Sequence, residues 1–254
     1  MRDTRYGITG LLAGVAAFLV PLTGQAETVT FSGTVSYEGT HSGDSLYVAV
    51  LDTAVAEDVD ILAIESFAVG APPFDQPYSL DFDNDGVGAM VLVASFLDVD
   101  GGGLGDVSGA DVFGWYAGTA MPTAVSVATS QSGLDFDLPL AEIRGTVTFA
   151  PDQDEASLEL PNAPDCTNEG LRPRTVIQTA GSYAIVGIYA GSFCVRAEGS
   201  HLGMPLELCF GDPTCTDPTV ITLGVAEVRT GVDIDFNAVP AERVTWGRIK
   251  SRHP

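Results

Sequence analysis

The chain is nearly devoid of positive charge: its 254 residues include one lysine, Lys250, and 11 basic against 34 acidic side chains. Such a surface repels nucleic acid phosphates and anionic lipid headgroups, which argues against both as partners. It suits cations, basic partners, or a salty medium that screens the self-repulsion. Histidine is scarce as well, occurring only at 41, 201 and 253. No G-x-S-x-G elbow and no H-E-x-x-H pair occurs, so the common nucleophile and zinc-hydrolase signatures are missing. His41-Ser42-Gly43-Asp44 sets histidine, serine and aspartate side by side. That is turn chemistry, whereas triads assemble from distant segments. The many carboxylates leave a glycosidase-type acid pair open, but no pattern singles one out. The expectation is a protein that is not an enzyme. Long helices are disfavoured by 29 glycines and 15 prolines.

The first segment is readable as an address. Arg2 and Arg5 precede an apolar run from Ile8 to Val20, followed by Pro21-Leu22-Thr23-Gly24-Gln25-Ala26. A cationic start, a short greasy stretch and small residues near a break describe a secretory signal peptide over 1–26. The run falls short of the about 20 residues that a membrane span needs, and no later stretch is long and apolar enough to cross. An uncleaved anchor is the alternative. Cleavage after Ala26 removes Arg2, Asp3 and Arg5, leaving 9 basic and 33 acidic residues and a net charge of −24. Disorder does not account for this composition, because 45% of the residues are hydrophobic.

All four cysteines, Cys166, Cys194, Cys209 and Cys215, fall in the second half. In an exported chain an even count reads as disulfides, with three pairings open. Cys209–Cys215 would close the turn-rich Phe210-Gly211-Asp212-Pro213-Thr214, leaving Cys166–Cys194. Zinc is the rival reading, without any C-x-x-C spacing to support it.

Two stretches follow one plan. Val29 to Tyr37 and Ile143 to Phe149 are both centred on G-T-V and alternate apolar with small polar residues, as strands with one buried face do. The endings also match: Val125 to Val127, then Leu134-Asp135-Phe136-Asp137-Leu138, against Val220 to Leu223, then Val232-Asp233-Ile234-Asp235-Phe236. The alternating D-x-D there reads as the wet face of a closing strand. Between these ends, Ser45 to Leu51 is a β-rich run. Tyr78 to Phe82, the turn Asp83-Asn84-Asp85-Gly86 and Gly88 to Leu97 suggest a hairpin. Gly181 to Tyr189 and Ser192 to Ala197, around Ala190-Gly191, suggest another. Only Ala54 to Leu62 looks helical. The expected fold class is all-β: a signal peptide (1–26), two tandem antiparallel β-sandwich modules (27–140 and 141–238) and a basic C-terminal tail (239–254).

The order of a G-x-V strand, the Y-V-A-V-L strand, a return feeding Phe96-Leu97-Asp98-Val99-Asp100-Gly101-Gly102-Gly103, and a closing D-F-D-L strand resembles a transthyretin-like module. More narrowly it is similar to the carboxypeptidase regulatory-like (prealbumin-like) domains of exported bacterial proteins, over most of 29–138 and more loosely over 143–236. That resemblance implies a non-catalytic sandwich scaffold of a secreted or cell-surface bacterial protein. The second copy departs from the pattern, with Glu198-Gly199-Ser200-His201 where the first has Asp98-Val99-Asp100-Gly101. A metal in one copy and disulfides in the other would then be parallel ways of bracing loops.

The chemical candidates are few. Asp98, Asp100, Asp106 and Asp111 lie on or beside a glycine-rich loop. Calcium takes six to eight hard oxygens from such carboxylates and carbonyls, so a structural calcium ion is expected there; a solvated turn is the alternative. Asp81-Phe82-Asp83-Asn84-Asp85-Gly86 opens like an EF-hand loop, but Leu92 stands where the bidentate glutamate belongs, so a turn is the better reading. Phe113 and Trp115 share one strand face; core packing is the usual fate of such rings, with stacking on a sugar as the alternative. In the tail, Trp246 and Ile249 are three apart, with Arg248 and Lys250 beside them, which suggests a docking or sorting peptide, or an end resting on its own acidic body. The functional expectation is a binding or scaffold protein meeting a protein or glycan at the cell surface. Carbohydrate binding, and self-assembly into a filament or envelope layer, are the alternatives.

Overall fold

The structure is a computed structural model and describes residues 27–52, 60–103, 110–117, 122–151, 153, 155–161, 163, 166, 174–201 and 204–238. The signal peptide, Asp106 and the tail lie outside the described residues.

Strand β1 (Thr28–Tyr37) shows why the period-two pattern matters. Val29, Phe31, Val35 and Tyr37 turn inward and are fully buried, while Thr28, Thr30, Ser32, Thr34 and Ser36 face outward. The facing sheet is built from β2 (Ser45–Asp52), β3 (Asp60–Ala68), β5 (Met90–Asp98), β6 (Val112–Trp115) and β7 (Ala124–Ser126), in the order β3-β2-β5-β6 with β7 also on β5. β1 itself lies between β4 (Phe74–Asp83), antiparallel, and β8 (Phe136–Asp137), parallel. Between these two sheets lies one apolar core, in which Phe31 meets Phe82 edge-on with ring centroids 5.1 Å apart.

The second half repeats the arrangement. Strand β9 (Ala141–Thr148) is flanked by β12 (Gly181–Ile188), antiparallel, and by β17 (Val228–Arg229) and β18 (Ile234–Asp235), both parallel. A second sheet runs β11 (Arg174–Ile177), β10 (Ala156–Glu159), β14 (Arg196–His201), β15 (Met204–Cys209), and β13 (Gly191–Phe193) pairs β16 (Ile221–Leu223). A separate core, from Ala141 to Phe236, fills the space between them. The described residues contain no α-helix, a 3-10 turn at Phe236–Ala238, and no helix long and apolar enough to cross a membrane.

Three sequence readings need correcting. Neither expected hairpin forms: β4 pairs only with β1 while β5 joins the opposite sheet, and β12 pairs with β9 while β13 pairs with β16. The Asx-Gly turn instead carries the chain from one layer to the other. Asn84 pins it to the start of β1, its Oδ1 accepting from the Glu27 amide at 3.0 Å. The window Ala54 to Leu62 is not helical where it is described, because Asp60–Ala68 is strand β3. Glu198 to His201 belong to β14, so they form no loop equivalent to the acidic one.

The halves meet through β6 and β12. Gly187 has φ +68°, and a Cβ there would press on the Val112 backbone, so only glycine allows this close approach. Next to it, the Tyr189 hydroxyl accepts from the Trp115 amide at 2.7 Å.

Candidate functional site

The acidic loop follows directly from β5. Asp98 is 4% exposed and Asp111 1%, and together with exposed Asp100 each offers a carboxylate oxygen within 4.8 Å of the others. The loop curls back on these groups. Asp98 accepts from the Gly101 amide at 2.7 Å and the Gly103 amide at 3.0 Å, and Asp111 accepts from the Val99 amide at 2.9 Å. Gly101 and Gly103 have φ of +82° and +67°, which turns their amides inward. Three of the four expected ligands therefore converge; the fourth, Asp106, is outside the described residues.

A second constellation, not anticipated from the sequence, occurs once in each half. In the first, the Tyr78 hydroxyl donates to the Leu134 carbonyl at 2.8 Å, and Asp135 accepts from the Thr34 amide at 2.7 Å. In the second, the Tyr183 hydroxyl donates to the Val232 carbonyl at 2.6 Å, and Asp233 accepts from the Thr146 amide at 2.8 Å. The glycine of each G-T-V stretch lets the closing segment in: a Cβ on Gly33 would strike Leu134, and one on Gly145 would strike Val232. Burial pushes both tyrosine hydroxyls well above their usual pKa, so they act as donors throughout the physiological range. The D-x-D residues are indeed on the wet face, but the first of each pair also fastens the closing strand. The signal was present in the shared G-T-V and x-D-x-D endings; the tyrosine could be added only once β4 and β12 were known to lie beside them.

The cysteines pair as the turn chemistry suggests, Cys166 with Cys194 and Cys209 with Cys215, which takes these thiols out of any zinc site. Within the smaller ring, half-buried Asp212 accepts from the Asp217 amide, the Thr214 hydroxyl and amide, and the Thr216 amide. These bonds hold its carboxyl far below the usual carboxylate range.

Trp115 packs in the core, as expected. It is 2% exposed, packs edge-on against Phe113 at 4.7 Å and clusters with Leu92, Ala94 and Tyr189. That burial closes the Trp115 ring to a sugar, while Phe113 stays partly exposed. Trp246, Arg248, Ile249 and Lys250 lie outside the described residues.

No protein-family model matches the chain, and no curated protein matches it. Among solved structures, loose likenesses include the tip fimbrial protein Mfa3 of Porphyromonas gingivalis, at 6% identity and TM-score 0.31 over 72% of this chain and 82% of that one. Another is a candidate cell adhesion protein of Parabacteroides distasonis, at 9% identity and TM-score 0.31 over 82% and 88%. A third, also described as a candidate cell adhesion protein, comes from Bacteroides ovatus, at 11% identity and TM-score 0.29 over 85% and 94%. Likeness this loose carries no argument about what the chain does, and the transthyretin-like resemblance gains no support from it.

Proposed function

We propose that this chain is a non-enzymatic β-sandwich scaffold acting outside the cytoplasm, secreted or at the cell surface, with calcium as a structural ion in the Asp98–Asp111 loop. The observation that carries the reading is how the carboxylates are used. Asp98, Asp111, Asp135, Asp212 and Asp233 all accept backbone amides, and so hold loops and closing strands in place. Two disulfides support the compartment, since such bonds persist in oxidising surroundings.

Calcium fits the loop by donor chemistry. Three carboxylates converge, two of them buried, and a divalent ion would offset their mutual repulsion and complete its shell with carbonyls and water. The test is thermal unfolding with calcium and with a chelator. At tenfold excess over its dissociation constant the ion adds about 1.4 kcal/mol. For a unit of about 100 residues that raises the midpoint by about 5–10 °C. Asp98→Asn should abolish the response, and a midpoint indifferent to the chelator would remove the metal from the reading.

The alternative is a structural subunit that assembles with copies of itself. It is favoured by β2 and β5, whose side chains are apolar on both faces of their sheet.

A further inference from the structure

A sheet that is apolar on both sides is normally covered on both. The inner face of the β3-β2-β5-β6 sheet carries Leu46, Val48, Val50, Val93 and Leu97 and is buried in the first core. The outer face carries Tyr47, Ala49 and Leu51 on β2, with Leu92, Ala94 and Phe96 opposite them on β5. At the β6 side Tyr189 of the second half covers this face. At the β3 side it stays open. A register shift between Val50 and Leu51 places both Ile61, opposite Leu51, and Ile64, opposite Ala49, on that outer face. They are 56% and 40% exposed, and Met90 is 42% exposed. An apolar area of this kind on an otherwise strongly charged protein marks a contact surface.

The surrounding charge narrows the occupant. From Glu27 to Leu140 the sequence contains no lysine and no arginine, and the exposed carboxylates Asp60 and Glu65 stand on the same edge strand as Ile61 and Ile64. The complementary chemistry occurs in the same chain: Arg243-Val244-Thr245-Trp246-Gly247-Arg248-Ile249-Lys250 is apolar and cationic. The place where this segment departs favours a second copy over the same one. β9 begins at the junction, where Glu142 lies 3.7 Å from His41 of the first half. β18 pairs with Val147 and Thr148 at the other end of β9, about 20 Å away at strand spacing. The chain therefore leaves the second half at its end remote from the first.

We propose that residues 243–250 of one copy dock on the outer face of β3 in the next, with Trp246 and Ile249 on Ile61 and Ile64 and the cations toward the carboxylates of that edge strand. The contact is head-to-tail, so repetition gives an open chain of subunits. It deepens the assembly reading and is independent of calcium at Asp98.

Carbodiimide coupling of the full-length protein tests this, because Lys250 is the only lysine. A mixture of isotope-labelled and unlabelled chains separates bonds between copies from bonds within one. The expected product joins Lys250 of one copy to Asp60 or Glu65 of another. Its yield should fall about tenfold at 0.5 M salt, where the screening length is roughly 4 Å. Ile61→Ser with Ile64→Ser should lower it likewise, with circular dichroism confirming an unchanged fold, and Lys250→Arg should abolish it. Coupling between copies that lands on Asp75, Asp81 or Asp83 of the opposite sheet would overturn the inference while leaving self-assembly standing. Coupling only within one chain, or none, would overturn both.

Discussion

Replacing Tyr183 by phenylalanine removes one oxygen and leaves the ring in place, which makes it a clean probe of the repeated fastening. The hydroxyl is buried and donates to the Val232 carbonyl at 2.6 Å, so its loss forfeits a hydrogen bond and leaves the carbonyl without this donor. A net hydrogen bond contributes about 1 kcal/mol, and an unsatisfied buried acceptor costs about 1–3 kcal/mol. The expected destabilisation is therefore about 1–3 kcal/mol, a fall of roughly 5–15 °C in a unit of about 100 residues. Tyr78→Phe is the matched change in the other half, against the Leu134 carbonyl at 2.8 Å, and should cost a similar amount. The two tyrosines belong to different cores, so the double variant should lose the sum within about 0.5 kcal/mol. Scanning calorimetry with the disulfides intact measures all three. A midpoint that stays put in either single variant would refute the reasoning, because it would mean that water replaces the lost donor at no cost.

Two further outcomes are expected. Removing Cys166–Cys194 by serine substitution should cost about 3.6 kcal/mol by chain entropy, and removing Cys209–Cys215 about 2.4 kcal/mol, an order that denaturant unfolding can check. Burial pushes the Tyr189 hydroxyl up to about 12, so folding favours its neutral form. Its contribution is complete below the unfolded value of about 10 and is lost as pH rises through about 12. Unfolding free energies across that window should decline, and less steeply in Tyr189→Phe.

What could be read from the sequence was what depends on neighbours along the chain. β1 and β9 alternate cleanly, because one face of each is wet, and the closing strands repeat their aspartates for the same reason. The Asp83-Asn84-Asp85-Gly86 turn announced a reversal, but turn chemistry does not say which layer receives the next strand. β3 was hidden because Leu62 interrupts its alternation and Glu65 places a charge in its middle. At the acidic loop the alternate aspartates and glycines were enough to single out Asp98 and Asp100. Core packing was the expected fate of Trp115, but its partner Tyr189, 74 residues away, was not legible.

The fastening between first and last strands also governs when each half can fold. Thr34 and Asp135 are 101 residues apart, and Thr146 and Asp233 are 87 apart. Contacts between such distant positions form late and slowly, because a long loop must close first. Neither sandwich can shut until its final aspartate segment has arrived, so the first half waits for Asp135 and the second for Asp233. Each half therefore locks only once its own last strand has arrived.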